Sequence, residues 1–78
     1  GGPVEVKIGV QYAPRELVLE SKLSPKDLSE TIEQAVTNGG VLRLEDDKGR
    51  QVFIPVEKIA YVEVAASNVR SVGFTVGA

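Results

Sequence analysis

Residues 40–64 constrain the fold more than any other part of the chain. Alternation of apolar with other residues predicts three consecutive β-strands, at residues 41–45, 51–56 and 59–65. Between the first two strands, the aspartates and glycine of residues 46–49 predict a tight hairpin turn. Pro55 ends the second strand, and residues 57–58 predict a short corner or a single helical turn before the third.

Two further strands precede this stretch. Residues 4–10 alternate without a break, which is the period of two expected of a strand with one buried face. After Pro14, which cannot donate to a sheet ladder, residues 15–21 resume the alternation with Leu17 and Leu19 on the apolar face. We predict that the two segments pair as an antiparallel hairpin.

One amphipathic helix is predicted after Ser24. Ser24 can accept a hydrogen bond from the amide of Asp27, and Pro25 stands where its missing N–H is harmless. Residues 38–40, Asn-Gly-Gly, end the helix because glycine readily adopts a left-handed conformation. The apolar residues that fall on one helical face are Leu28, Ile32, Ala35 and Val36.

The order of elements predicts the fold class. With a sixth strand at residues 72–76, the order is ββαββββ, an α+β domain with a mostly antiparallel sheet of five or six strands. A helix of roughly 14 residues is only about 21 Å long and cannot cover a wide six-stranded sheet. We therefore expect a strongly curved sheet, or a second subunit that covers the remaining surface.

Composition excludes several kinds of chemistry. The 78 residues include no cysteine and no histidine, so thiolate metal sites are excluded and the commonest general base is missing. The net charge of −2 argues against a broad phosphate-binding surface, and no apolar run approaches the roughly 20 residues that cross a bilayer. We read residues 1–3 as a cloning or cleavage remnant and residues 4–78 as one cytoplasmic domain.

No motif has the spacing of a catalytic, metal or cofactor site. The acidic residues 45–50 lack the alternating ligands and final glutamate of an EF-hand loop. Gly39 and Gly40 follow a helix, whereas a phosphate-binding loop precedes one, and the serines have no histidine to activate them. We predict a protein that is not an enzyme and that needs neither a metal nor a cofactor.

Two candidate sites remain. The outward-facing strand residues that predict an interaction surface are Arg43, Phe53, Tyr61 and Glu63. Alternatively, Phe53 or Tyr61 turns inward through a bulge beside Pro55. The basic loop residues that could gather around an anion at one end of the sheet are Arg15, Lys48, Arg50 and Arg70. Ordinary solvated loop charges are the competing interpretation of those four.

Five segments carry a family resemblance: VEVKIGV at residues 4–10, PREL at 14–17, DKGR at 47–50, IAYVEV at 59–64 and RSVGF at 70–74. Together they resemble the small actinobacterial proteins grouped as domain of unknown function 3107. The resemblance implies a stand-alone cytoplasmic protein of unassigned role and supplies no catalytic residue. Some such proteins are labelled nucleotide-binding, but this sequence lacks the phosphate-binding loop that would support the label.

The leading hypothesis is a non-enzymatic protein-interaction module, a homo-oligomer or a partner of another protein, that buries its sheet face around Phe53 and Tyr61. The alternative is a module that binds a small ligand, a nucleotide or nucleic acid through basic loop residues. The net charge disfavours nucleic acid, and we expect no membrane partner.

Overall fold

The structure, a computed structural model, describes residues 2–65 as five strands and one α-helix. In chain order the elements are β1 (Val4–Val10), β2 (Leu17–Ser21), α1 (Pro25–Asn38), β3 (Val41–Glu45), β4 (Gln51–Pro55), a 3₁₀ turn (Val56–Lys58) and β5 (Ile59–Val64). One sheet has the order β2-β1-β5 and the other is the β3–β4 hairpin, both antiparallel. For this part of the chain, the predicted α+β class, single helix and antiparallel pairing are confirmed.

The predicted single, strongly curved sheet is wrong, because the strands divide into two sheets. β4 and β5 follow each other in the chain but lie in different sheets. Pro55 and the 3₁₀ turn (Val56–Lys58) separate them, and such a turn carries the chain out of the plane of β4 instead of folding it back alongside. β5 pairs with β1 instead, from Val6 opposite Val64 onward. The predicted sixth strand at residues 72–76 lies outside the described residues.

The two sheets and the helix share one hydrophobic core. Its buried apolar side chains are Val4, Val6, Ile8, Leu19, Leu28, Leu42, Leu44 and Ile54. Val52, Val62 and Val64, which the alternation of the sequence places on the inward faces of β4 and β5, pack against this core and are partly buried. Every strand therefore presents one apolar face to the same interior, as the period of two in the sequence indicates.

The helix buries a narrower stripe than predicted. Leu28 is completely buried, and Ile32 and Ala35 are partly buried against the core. Val36, however, is 55% exposed, so its assignment to the core face is wrong. Eight residues on from Leu28, Val36 lies roughly 80° around a helix of 3.6 residues per turn, at the edge of the stripe.

Both ends of the helix form as predicted. The Ser24 hydroxyl accepts a hydrogen bond from the Asp27 amide at 3.1 Å, and Pro25 occupies the first helical position. At the other end, Gly39 has φ of 78° and its amide donates to the Ala35 carbonyl at 2.8 Å. Only glycine adopts such a φ without steric cost, which explains its place directly after the helix.

Candidate interaction surface

The outer face of the β3–β4 hairpin carries an exposed patch of three apolar residues and one arginine. Because side chains alternate along a strand, the residues on either side of each buried leucine point away from the core. Val41 lies opposite Pro55, and Arg43 lies opposite Phe53. Val41 is 53% exposed and Phe53 is 57% exposed. We call these four residues the hairpin patch.

Arg43 and Phe53, two of the four residues predicted as an interaction surface, lie together in this patch. They are direct cross-strand partners on the outward face, within reach of each other's side chains. Both residue types are enriched at the centres of protein–protein interfaces, since they combine a large contact area with limited flexibility or several hydrogen-bond donors. The arrangement is suited to binding a protein surface.

Tyr61 and Glu63, the other two predicted residues, lie on the outer face of the three-stranded sheet. Glu63 is opposite Lys7, and Tyr61 is opposite Gly9. The Tyr61 ring covers Gly9 so closely that a Cβ added there would lie 2.2 Å from Cε2 of the ring. The predicted surface is thus divided between two sheets, and Tyr61 already has an intramolecular packing partner.

Glu16 holds Tyr61 across the three-stranded sheet. The Tyr61 hydroxyl donates a hydrogen bond to the carboxylate of Glu16, in the loop before β2. The ring therefore spans β1 and ties β5 to the start of β2, although it is 48% exposed. Sequence reasoning missed this role, but Gly9 at an outward position of β1 was a usable signal, because glycine within a strand often marks a close approach.

The contact with Glu16 predicts the titration of Tyr61. The hydrogen bond to Glu16 raises the pKa of Tyr61 above its ordinary 10.0, and desolvation and the charges of Glu16 and Glu63 act in the same direction. In the Tyr12→Phe variant Tyr61 is the sole tyrosine, so ultraviolet absorbance reports it alone. We expect adding Glu16→Ala to move the midpoint to lower pH; equal midpoints would contradict the contact.

The sign of the linkage to stability follows from the direction of this shift. Since the pKa of Tyr61 is higher in the folded protein, the contact stabilises the fold fully below pH 10.0. Its contribution is lost as the pH rises through the raised pKa.

The basic residues predicted to bind an anion do not all converge. Arg15 precedes β2, whereas Lys48 and Arg50 belong to the β3–β4 turn, which is attached near the other end of β2. The attachment is a 2.8 Å hydrogen bond from the Asp47 amide to the Glu20 carbonyl. From Leu17, where β2 begins, to Glu20 is three strand steps of roughly 3.3 Å each, or about 10 Å, and Arg15 lies before Leu17. Arg70 lies outside the described residues.

Asp46 engages the basic residues of the turn. Its Oδ1 accepts hydrogen bonds from the amides of Lys48 at 2.9 Å and Arg50 at 2.7 Å, and its Oδ2 lies 3.2 Å from Arg50 Nε. Desolvation opposes its ionisation, but these hydrogen bonds and the two positive charges outweigh it and hold the pKa of Asp46 below its ordinary 3.8. Arg50 is therefore occupied within the turn, which favours the solvated-loop interpretation of its charge.

A groove of about 750 Å³ lies beside this turn, between the loop after β2, the helix and β3. The charged residues that line it are Lys22, Arg43, Glu45, Asp46, Asp47 and Lys48. Three of these are basic and three are acidic, so the groove does not present the single sign of charge that would concentrate an anion.

Fold and surface together define the protein as a small α+β domain with an exposed hairpin. Its residues 4–75 match the family described as protein of unknown function (DUF3107), and the chain belongs to that family. The resemblance found in the sequence is thus confirmed. No curated protein matches the chain. Within residues 2–65, no helix is long and apolar enough to cross a membrane, and no group of three or more candidate ligands could hold a metal ion.

Proposed function

We propose that the protein is a cytoplasmic, non-catalytic interaction module that associates with a second copy of itself through the hairpin patch. The observation that carries this proposal is the exposure of Phe53, which remains 57% accessible beside Val41 on the face away from the core. Complete removal of a phenylalanine side chain from water contributes roughly 1.5–3 kcal/mol. Covering the Phe53 ring with a second copy would recover part of that contribution.

The hairpin also favours a partner on structural grounds. A two-stranded sheet alone is at best marginally stable in water. The β3–β4 hairpin packs against the core on one face, where Leu42, Leu44 and Ile54 are buried. Association through its outer face or edge would give the hairpin further packing that its two strands do not supply.

The amino-acid composition supports the proposal that the protein is not catalytic. With no histidine and no cysteine, general base and nucleophilic chemistry would depend on carboxylate, lysine, serine or tyrosine groups. Within residues 2–65, the two titratable groups with clearly shifted pKa values, Asp46 and Tyr61, are engaged in a turn and in packing across the sheet. Their shifts have structural causes.

Substitution of Phe53 tests the proposal. We expect Phe53→Ser to weaken self-association at least about tenfold, equivalent to about 1.4 kcal/mol, because an aromatic anchor is removed from the interface. Sedimentation velocity over a range of concentrations up to millimolar would measure the association constant.

The matched control is Val36→Ser, which removes an apolar side chain of similar exposure, 55%, from the helix. We expect this variant to associate as the unmodified chain does. An unmodified chain that stays monomeric at millimolar concentration would overturn the proposal. So would equal weakening by both substitutions.

A further inference from the structure

We infer that the two copies pair through the edges of their β4 strands, antiparallel and about a twofold axis at Phe53. The two hairpins then form one four-stranded sheet. This inference rests on the proposed self-association and specifies its geometry: the partner is a second copy, and the contact is a strand edge with the hairpin patch beside it.

The backbone hydrogen bonds of the hairpin identify the open edge. The Val56 amide donates to the Gly40 carbonyl and the Asp46 amide donates to the Arg50 carbonyl, each at 2.8 Å. Since bonded and non-bonded pairs alternate along an antiparallel ladder, the even-numbered residues of β4 bond to β3. The β4 residues whose backbone groups point to the other edge are Gln51, Phe53 and Pro55. In residues 2–65, that edge has no neighbouring strand.

A twofold axis at Phe53 makes this edge self-complementary. Phe53 and its counterpart exchange two backbone hydrogen bonds and place their rings on the same face, where aromatic pairs attract. Gln51 then opposes Pro55 of the second copy and donates its amide to that carbonyl. Pro55 has no N–H of its own. The two backbone donors at this edge, Gln51 and Phe53, therefore both have an acceptor in the second copy.

The side chains on both faces of the paired edge are compatible with this register. Neither Gln51 nor Pro55 is charged, so no like charges oppose each other. On the outer face the two Phe53 rings lie between two Arg43 residues, in reach of cation–π contact. On the inner face, half-buried Val52 opposes Ile54 of the second copy, which continues the apolar core across the axis.

The opposite edge of the hairpin is obstructed. Near its end, β3 is tied to the other sheet by the hydrogen bond from the Asp47 amide to the Glu20 carbonyl. Thr31 of the helix and Leu23 of the following loop also line the groove on that side. A second hairpin therefore has better access to β4 than to β3.

The size of the contact predicts a weak dimer. Pro55 and the turn at residues 46–49 limit the paired edge to the five residues of β4. Pairing along an edge of that length buries less than roughly 1,200 Å² of accessible surface, and interfaces below that area are typical of weak, transient complexes. We expect a reversible dimer with a dissociation constant in the high micromolar range.

Cysteine cross-linking tests the geometry, since the chain has no cysteine of its own. A mixture of the Gln51→Cys and Pro55→Cys variants is expected to form a mixed disulfide under mild oxidation, because directly opposed residues lie about 5.5 Å apart between Cα atoms. Each variant alone is expected to cross-link far less. In this register residue 51 of one copy and residue 51 of the other lie four residues apart along the strands, about 14 Å, and the same holds for residue 55.

A mixture of Val41→Cys and Glu45→Cys, on β3, serves as the control and is expected to yield no mixed disulfide. Cross-linking of the β3 mixture instead of the β4 mixture would overturn the inference. Self-association that depends on Phe53 but gives no mixed disulfide at positions 51 and 55 would overturn the edge geometry and leave the proposed function intact. A chain that does not self-associate at all would remove both.

Discussion

Replacing Leu28 with alanine is expected to lower the free energy of unfolding by about 2–5 kcal/mol. Leu28 is the one completely buried side chain of the helix and belongs to the core shared by both sheets. Truncation removes apolar contacts and leaves a cavity that the surrounding strands fill only in part. Since native domains are stable by only about 5–15 kcal/mol, this loss is a large fraction of the total.

The measurement is urea denaturation followed by far-ultraviolet circular dichroism, with Val36→Ala as the matched control. Val36 lies on the same helix but is 55% exposed. Alanine is the better helix former by several tenths of a kcal/mol, so this variant should be unchanged or slightly more stable. Similar losses in both variants would contradict the observed orientation of the helix.

The second large effect is expected at Gly9. Gly9→Ala should destabilise the fold by about 1–3 kcal/mol, because the added Cβ cannot share its position with the ring of Tyr61 and one of them must move. The distance from that Cβ to Cε2 of the ring would be 2.2 Å, and to Cζ 2.5 Å. Denaturant unfolding of the variant gives the size of the loss.

A double-mutant cycle separates this clash from other effects of alanine in a strand. In the Tyr61→Ala background the space above Gly9 is empty, and Gly9→Ala should then be neutral or stabilise by up to about 1 kcal/mol through reduced freedom of the unfolded chain. The same loss in both backgrounds would show that the ring is not what excludes a side chain at position 9.

Local structure could be predicted from the sequence where neighbouring residues determine it. Ser24 and Pro25 begin the helix and Gly39 follows its end, since each satisfies a backbone requirement at its own position. The β3–β4 hairpin has the predicted turn, with Gly49 at φ of 89° and Asp46 accepting the amides that follow. These features depend on contacts over a few residues, which a single sequence displays.

The pairing of distant strands could not be predicted in the same way. Alternation of apolar residues shows which face of a strand is buried, but it does not show which other strand lies beside it. β5 would suit a place next to β4 or next to β1 equally well by this pattern. The three-residue 3₁₀ turn after Pro55 decides between them through its geometry, and the sequence indicates the turn but not its direction.

Only part of the candidate surface could be predicted, because the rest depends on the pairing of distant strands. Arg43 and Phe53 face outward on paired strands, and their adjacency follows once the hairpin is recognised. Tyr61 has the same outward alternation, yet it covers Gly9 and reaches Glu16, 45 positions earlier in the chain. The contact between Tyr61 and Glu16 depends on the tertiary pairing of β1 with β5. The alternation of residues along β5 therefore could not distinguish Tyr61 from a residue that binds a partner.

The central position of β1 also has a consequence for synthesis of the chain on the ribosome. β1 begins at Val4, and one of its two neighbours, β5, ends at Val64, so the three-stranded sheet closes between opposite ends of the described chain. Until residue 64 has emerged, β1 can pair with β2 alone, and a lone hairpin is marginal. The open edge of β1 is then a template for wrong pairing, and the long loop between β1 and β5 slows formation of their pairing relative to the local hairpins.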